Sequence, residues 1–311
     1  MMIKNQENGE RIMKLVKIGK TMVAGLCIAA TLAGAALPTM ALSPAGYTSL
    51  AQLEEENEAT TPEQVEAQIN QIGPITLESA TAIANAQGTY DSLPDEWKAM
   101  VSNYETLQAA QKELEDLQVA KLTEKLNAGL YKEHDDVENY DCYLWAGWPI
   151  SDQSNFAMPY FCISEKNGIE PMRMMYCSYS GSWLFMNQVV YSVDGEVYQK
   201  GLDTTQKFSQ VVTEVWTKNI YTWEKIDGFA DSKEIEMLRK AASSENAVIR
   251  LKGDNKKIDL KLKTMTEYKK SLAAFFDAYD SLMAASPEVR ERALANMKSH
   301  MSNSKFMRLG Y

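Results

Sequence analysis

Residues 247–263 read Ala-Val-Ile-Arg-Leu-Lys-Gly-Asp-Asn-Lys-Lys-Ile-Asp-Leu-Lys-Leu-Lys, two alternating runs on either side of Gly253-Asp254-Asn255. Ala247, Ile249 and Leu251 alternate with Val248, Arg250 and Lys252, while Ile258, Leu260 and Leu262 alternate with Asp259, Lys261 and Lys263. Successive side chains of a strand point to opposite faces, so each run buries one face and wets the other. The two runs therefore form an antiparallel hairpin, with Lys252, Lys256, Lys257, Lys261 and Lys263 on its solvated side.

The sequence on the N-terminal side of this hairpin is rich in rings: residues 140–223 hold 17 of the chain's 29 aromatics, a density that suits a β domain. Strands are expected over 156–164 and 169–179, joined at Lys166-Asn167-Gly168, and over 183–193 and 196–200, turned by Asp194-Gly195. A further strand covers 211–216, and a helix starting near Asp231-Ser232 carries Ile235, Leu238 and Ala242. On the C-terminal side, Thr264-Met265-Thr266-Glu267 has the spacing of a capping box ahead of Leu272, Phe275, Phe276, Tyr279 and Leu282. Ser286-Pro287-Glu288 opens a last helix with Val289, Ala293 and Met297 on one face. Strands and helices do not alternate as βαβ units, which argues against a parallel sheet.

Nearer the N-terminus the period changes to that of helices. Thr61-Pro62-Glu63-Gln64 is a second capping box, followed by Val65, Ile69 and Ile72 on one face. Gly73-Pro74 ends that helix; Leu77-Glu78-Ser79 opens one carrying Ala80, Ile83, Ala84, Ala86 and Tyr90. Leu93-Pro94-Asp95-Glu96 opens a third, through Trp97 and Val101 to Leu107, Ala110, Leu114 and Leu117. Trp97 is expected to be sealed against Ile69 and Ile83.

The run Ile72-Gly73-Pro74-Ile75-Thr76-Leu77-Glu78-Ser79, with Tyr90-Asp91-Ser92-Leu93 and Val101-Ser102-Asn103-Tyr104 followed by Leu107 and Ala110, resembles a small three-helix repeat of Gram-positive secreted and cell-surface proteins. The resemblance spans residues 65–117, departs from the pattern at Pro74 and is present in one copy. It implies an extracellular spacer or interaction module and brings no catalytic residues with it.

The expected fold is α+β: a three-helix bundle module, then an antiparallel β-sheet domain with C-terminal helices. The boundaries are a signal peptide (1–41), a polar tether (42–60), the three-helix module (61–125), a linker (126–141), the antiparallel domain (142–285), and a C-terminal helix and tail (286–311).

The signal peptide is read from Lys14, Lys17 and Lys20 ahead of an uncharged run from Thr21 to Ser43, with small residues before a cut near Ala41. The apolar part is too short and too rich in Ala and Gly for a spanning helix, and no other segment is long enough, so the exported chain is expected to have no transmembrane segment. Translation starts at Met1 or Met13. The full chain carries −10 formal charges, and the exported chain has 27 basic against 40 acidic residues, or −13. Such acidity opposes nucleic acid and anionic lipid at long range, and 45% hydrophobic residues exclude a disordered chain. Export leaves Cys142, Cys162 and Cys177, enough for one intrachain disulfide, with its pairing open.

Motifs for catalysis are missing from the sequence. There is no HExxH, GxSxG, phosphate loop, dinucleotide fingerprint or EF-hand, and His134 and His300 are the two histidines. His134, Asp135, Asp136, Glu138 and Asp141 read as a solvated charge run rather than a calcium loop, and Asp227, Gly228, Asp231 and Glu234 as a turn and a helix cap. No metal or cofactor is expected. The sharpest functional candidate is an exposed aromatic patch drawn from Tyr143, Trp145, Trp148, Trp183, Trp216 and Trp223, because flat rings dock on the apolar faces of sugars and on partner side chains. The reading is a non-enzymatic secreted or envelope protein whose partner is a cell-wall or host glycan or another surface protein. The alternative is an extracellular carbohydrate-active enzyme built on a carboxylate pair.

Overall fold

The computed structural model describes residues 60–298 apart from 136–138, 151–153, 165, 167, 203–211, 218–219 and 255. The expected signal peptide, nearly all of the tether and the tail from residue 299, His300 included, lie outside the described residues. The fold is α+β, with seven α-helices and two antiparallel sheets among the described residues. None of these helices is long and apolar enough to cross a membrane.

Helix α1 (Pro62–Gln71) begins with the capping box that its sequence predicts: the Thr61 hydroxyl accepts from the Gln64 amide, and the Gln64 side chain accepts from the Thr61 amide. After a 3-10 turn (Leu77–Ser79) come α2 (Ala80–Asp91), the single turn α3 (Asp95–Lys98) and the long α4 (Tyr104–Asn127). Val65, Ile69, Ile83, Ala86, Leu107, Ala110 and Leu114 form a first core, closed by Leu93 and Val101. Trp97 departs from expectation. Its helix stops after one turn, Leu93 and Val101 take the sealed positions, and the indole is half-buried against the edge of this core.

Helix α4 runs on past residue 125, the expected end of the module. Its last turns put Val119, Leu122 and Leu126 into the second, larger core. The expected linker 126–141 holds the end of α4, strand β1 (Leu130–Asp135) and the start of β2 (Tyr140–Trp145), paired from Leu130↔Trp145 to Asp135↔Tyr140. A run this charged is tolerated in a strand because β1 is an edge. There Lys132 and His134 both reach Asp141, at 3.1 and 2.8 Å. The last helix, α7 (Pro287–Ala295), is also part of the main domain. It buries Val289 and Ala293 in the same core and sends Arg292 to Glu115 and Asp116 on α4.

The first sheet runs β1-β2-β3-β5-β9-β8, with β4 (Gly168–Ile169) added to β3 (Phe156–Ser164). The beginning of β3 pairs with β5 (Arg173–Ser180) and its end with β2. Strand β9 (Ile220–Phe229) lies between β5 and β8 (Val212–Thr217). Asp227 and Gly228, expected in a turn, are therefore strand residues. Cys142 and Cys162 stand opposite each other on β2 and β3 and are joined by a disulfide, leaving Cys177 as a buried thiol.

The second sheet is β11-β10-β6-β7, and β10 (Ala247–Gly253) with β11 (Lys257–Lys261) is the hairpin read from residues 247–263. Strands β6 (Met186–Val193) and β7 (Glu196–Gly201) turn at Asp194 and Gly195, whose φ values of 47° and 91° are those a two-residue hairpin turn requires. Tyr191, Ile249 and Leu251 on the inner face share a core with α5 (Ser232–Ser243) and α6 (Thr266–Ala284). Asp231 caps α5 as expected. The expected cap at Thr264 does not form. Residues Leu262–Thr264 wind into a 3-10 turn in which the Thr264 hydroxyl donates back to the Lys261 carbonyl, so α6 starts without a side-chain cap.

A buried polar knot ties the two sheets to α5. Glu234 is fully buried and accepts from the hydroxyls of Tyr176 on β5 and Tyr191 on β6, and from Lys200 Nζ on β7 at 2.7 Å. Burial, with the carboxylate of Glu234 behind it, pushes both tyrosine hydroxyls well above their ordinary range, so both remain donors. Removing one partner would leave a buried polar group without its hydrogen bond, so the knot couples the placement of both sheets to α5.

Candidate functional site

Three of the six residues named for the aromatic patch, Tyr143, Trp145 and Trp148, are buried. Tyr143 stacks on Phe161 at 5.1 Å, and Phe161 in turn meets Phe275 and Tyr279 of α6. Trp148 lies 5.0 Å from Tyr268, and Trp145 is closed in by Gly129 and Gly147, where an added Cβ would come within 2.5 and 2.7 Å of its ring. All three are core residues. The physical reason is that a seven-stranded sheet under a helix needs large fillers, and two glycines clear room for the largest of them. Trp216 and Trp223 stand in β8 and β9, but their side chains lie outside the described residues. Of the six, Trp183 alone has a described ring that is not buried.

Trp183 belongs to a loop that is built with care. Between β5 and β6 the chain crosses from the first sheet to the second. Glu224 of β9 holds this crossing: its buried carboxylate accepts from three successive backbone amides, those of Leu184, Phe185 (3.0 Å) and Met186 (2.8 Å). Three consecutive N–H groups converge on one anion only if the chain winds tightly, and Phe185 accordingly has a φ of 51°. The carboxylate thus fixes a loop whose outward residues are Trp183 and Phe185. Their rings stack at 5.8 Å, and Phe185 is 65% exposed.

The other wall comes from the β10–β11 hairpin. At Gly253 the ladder with β6 slips by a residue, and an added Cβ would stand 1.7 Å from the Leu184 carbonyl oxygen. No larger residue lets the hairpin approach the crossing loop so closely. Between the two walls lies an open cleft of about 770 Å³, lined by Ser180, Ser182 and Leu184 on one side and by Arg250, Lys252, Asp254, Lys256 and Lys257 on the other. Its floor reaches Val190 and Gln199 on the outer face of the second sheet.

Cations dominate this cleft. Arg250 is committed to Asp259 through two hydrogen bonds of 2.6 and 2.9 Å, and the guanidinium holds that carboxyl below the usual range. Asp254 accepts from the Asn187 side chain at 2.6 Å. Lys252 donates to Gln188 at 3.0 Å and Lys256 to the Ser182 hydroxyl, both neutral acceptors. No ion pair among the described residues neutralises Lys252, Lys256 or Lys257. Asp254 is the one carboxylate among the described lining residues.

Asp227 on β9 is turned inward. Asp227 takes two hydrogen bonds from Arg173, at 3.1 and 3.0 Å, and one from the Tyr160 hydroxyl. Among the described residues, no group of three or more His, Cys, Asp and Glu side chains is placed to hold a metal ion, while Asp136 and Glu138 of the charge run lie outside the described residues. The lysines were legible in the sequence as a wet hairpin face. Glu224, Leu184 and Phe185 were not, because their contact joins residues 40 positions apart through backbone amides that no side-chain pattern announces.

Comparison with protein-family models, with curated proteins and with solved structures finds no match to this chain. The class that the fold and the site define is an α+β protein of two antiparallel sheets, with a cation-lined cleft on the outer face of the second.

Proposed function

We propose that this is an exported bacterial binding protein, secreted or envelope-associated, without catalysis of its own. In this reading the helices of residues 61–125 are the Gram-positive type of three-helix module and hold the sheet domain away from the surface. Export is supported by the Lys14 to Ala41 pattern and by the Cys142–Cys162 disulfide, a bond that persists in oxidising compartments. Binding rests on one observation: the cleft between the Glu224-held loop and the Gly253 hairpin is open and lined by Lys252, Lys256 and Lys257, none of which makes a contact ion pair among the described residues, although Asp259 lies within electrostatic reach of Lys257. The loop that gives one wall also carries the stacked Trp183–Phe185 pair, which lies outside the residues lining the cleft and offers a sugar face a second surface beside it. A carbohydrate-active enzyme needs two carboxylates about 5–9 Å apart across its substrate, and the described lining supplies Asp254.

The test is a glycan array probed with the secreted chain, run beside an assay for new reducing ends on every glycan retained. Retention without hydrolysis is the expected result. Release of reducing ends would move the protein to the enzyme class, and no retention of any glycan would remove the binding reading.

A further inference from the structure

The cleft's charge specifies its ligand more narrowly than binding alone. Residues 247–263 carry six basic side chains against two acidic ones, in a chain whose total is −10. Residues 61–127 show the opposite balance, with four basic against eleven acidic. The positive charge is concentrated where the cleft is.

The register makes the concentration costly. Lys252 and Lys257 stand directly opposite each other across β10 and β11, and like charges in that position destabilise a sheet. The neighbouring pair on the same face shows what a neutral arrangement looks like, with Arg250 opposite Asp259 and the two bonded. An anion seated between Lys252 and Lys257 would do for this pair what Asp259 does for Arg250. Lys256, on the turn beside them, reaches across to Ser182 and brings a third cation to the same end of the cleft.

Resting on the binding reading above, we propose that the ligand is an anionic polysaccharide, a sugar polymer whose carboxylate or phosphate groups sit among Lys252, Lys256 and Lys257 while its sugar faces cover Trp183 and Phe185. The opposing net charge of the chain does not forbid this. At physiological ionic strength charges are screened beyond about 8 Å, so the cleft's own lysines decide the local field. Charge gives the ligand its sign, and the stacked pair of half-buried Trp183 and exposed Phe185 separates a sugar polymer from a bare polyphosphate.

The experiment uses the secreted chain and isothermal titration against five probes: polygalacturonate for carboxylates, phosphomannan for phosphates, dextran as an uncharged polymer, polyphosphate without sugar, and poly(dT). The expected result is binding to polygalacturonate or phosphomannan, which of the two identifying the anionic group, with dextran inert. Affinity should fall steeply between about 50 and about 300 mM NaCl. The double variant Lys252→Glu/Lys257→Glu should lose at least about tenfold, and Lys112→Glu on α4, the same kind of charge change elsewhere, should lose nothing measurable. Phe185→Ala, which removes an exposed ring, should weaken both sugar polymers.

Dextran binding as well as the charged polymers would overturn the anionic assignment and leave the binding reading standing. Polyphosphate or poly(dT) binding more tightly than either sugar polymer would overturn the sugar assignment. Equal losses in Lys112→Glu and in the cleft variant would show a non-specific charge effect and overturn the site. Silence of all five probes, together with silence of the glycan array, would remove both proposals.

Discussion

Glu224→Gln separates the role assigned to this carboxylate from ordinary core packing, because it changes charge and hydrogen bonding while keeping the shape. In the native protein the carboxylate accepts from Leu184, Phe185 and Met186, using one oxygen for the first two and the other for the third. A glutamine keeps one acceptor oxygen and turns an NH₂ group toward the remaining amide. One buried N–H then loses its acceptor, at about 1–3 kcal/mol, and the surviving bonds lose the strengthening that an ionised acceptor gives. The total is about 3 kcal/mol, which at roughly 2–4 °C per kcal/mol for a chain of this size is a fall in Tm of about 6–12 °C. Differential scanning calorimetry measures the fall. Amide hydrogen exchange localises it, with residues 184–186 expected to speed up before the β10–β11 hairpin does. A variant that melts within about 1 °C of the wild type, with unchanged exchange at those three amides, would refute the idea that this anion builds the loop.

Three further outcomes follow from other parts of the fold. A chain beginning at residue 42, denatured without reductant, should expose one alkylatable thiol, that of Cys177, and reduction should destabilise it by about 3 kcal/mol for a loop of this length, read as thiol count and Tm; three thiols before reduction would contradict the Cys142–Cys162 bond. Leu107→Ala, at a fully buried position, should cost about 3 kcal/mol in a chemical melt, and Trp97→Ala clearly less because that ring is half-buried; the reverse order would overturn the core assignment. Asp259 has its carboxyl pulled down by Arg250, so its contribution is present above the unfolded value of about 4 and is lost as pH falls through the lower folded value; the Tm gap between wild type and Asp259→Asn should be largest near neutrality and close in acid, and a gap independent of pH would count against the pair.

What the sequence discloses and what it conceals divide by range. The alternation in residues 247–263, the Asp194-Gly195 turn, and the caps at Thr61, Asp231 and Ser286 are local arrangements, and each is present in the fold. Strand β1 was hidden because Lys132, Glu133, His134 and Asp135 look like a solvated run; only pairing with β2, where Asp141 meets two of them, makes a strand of it. Asp227 was hidden in the same way, since its partners Arg173 and Tyr160 come from two other strands. The capping box at Thr264 was a local signal overridden by the 3-10 turn that leads out of β11.

The candidate site follows the same rule. Ring density foretold a sheet but not which rings stay wet, because the burial of Trp145 depends on Gly129 and Gly147, whose fit to its ring is visible only in three dimensions. The lysines of the hairpin were visible one by one. Their meaning as a cleft depends on Gly253 lying against the Leu184 carbonyl and on Glu224 shaping the loop above it. Both are contacts to backbone, and backbone contacts leave no periodic trace in side-chain identity.

The cleft between residues 180–185 and 252–257 is the proposed place where the protein meets its partner. Titrating an isotopically labelled chain beginning at residue 42 with polygalacturonate or phosphomannan, and following backbone amide shifts by NMR, tests it directly. Saturable shifts are expected, confined to Ser182, Trp183, Phe185, Lys252, Asp254, Lys256 and Lys257 and their neighbours, with α1, α2 and α7 unmoved. Shifts centred on the helices, or on β1 and β2, with the cleft silent would contradict it.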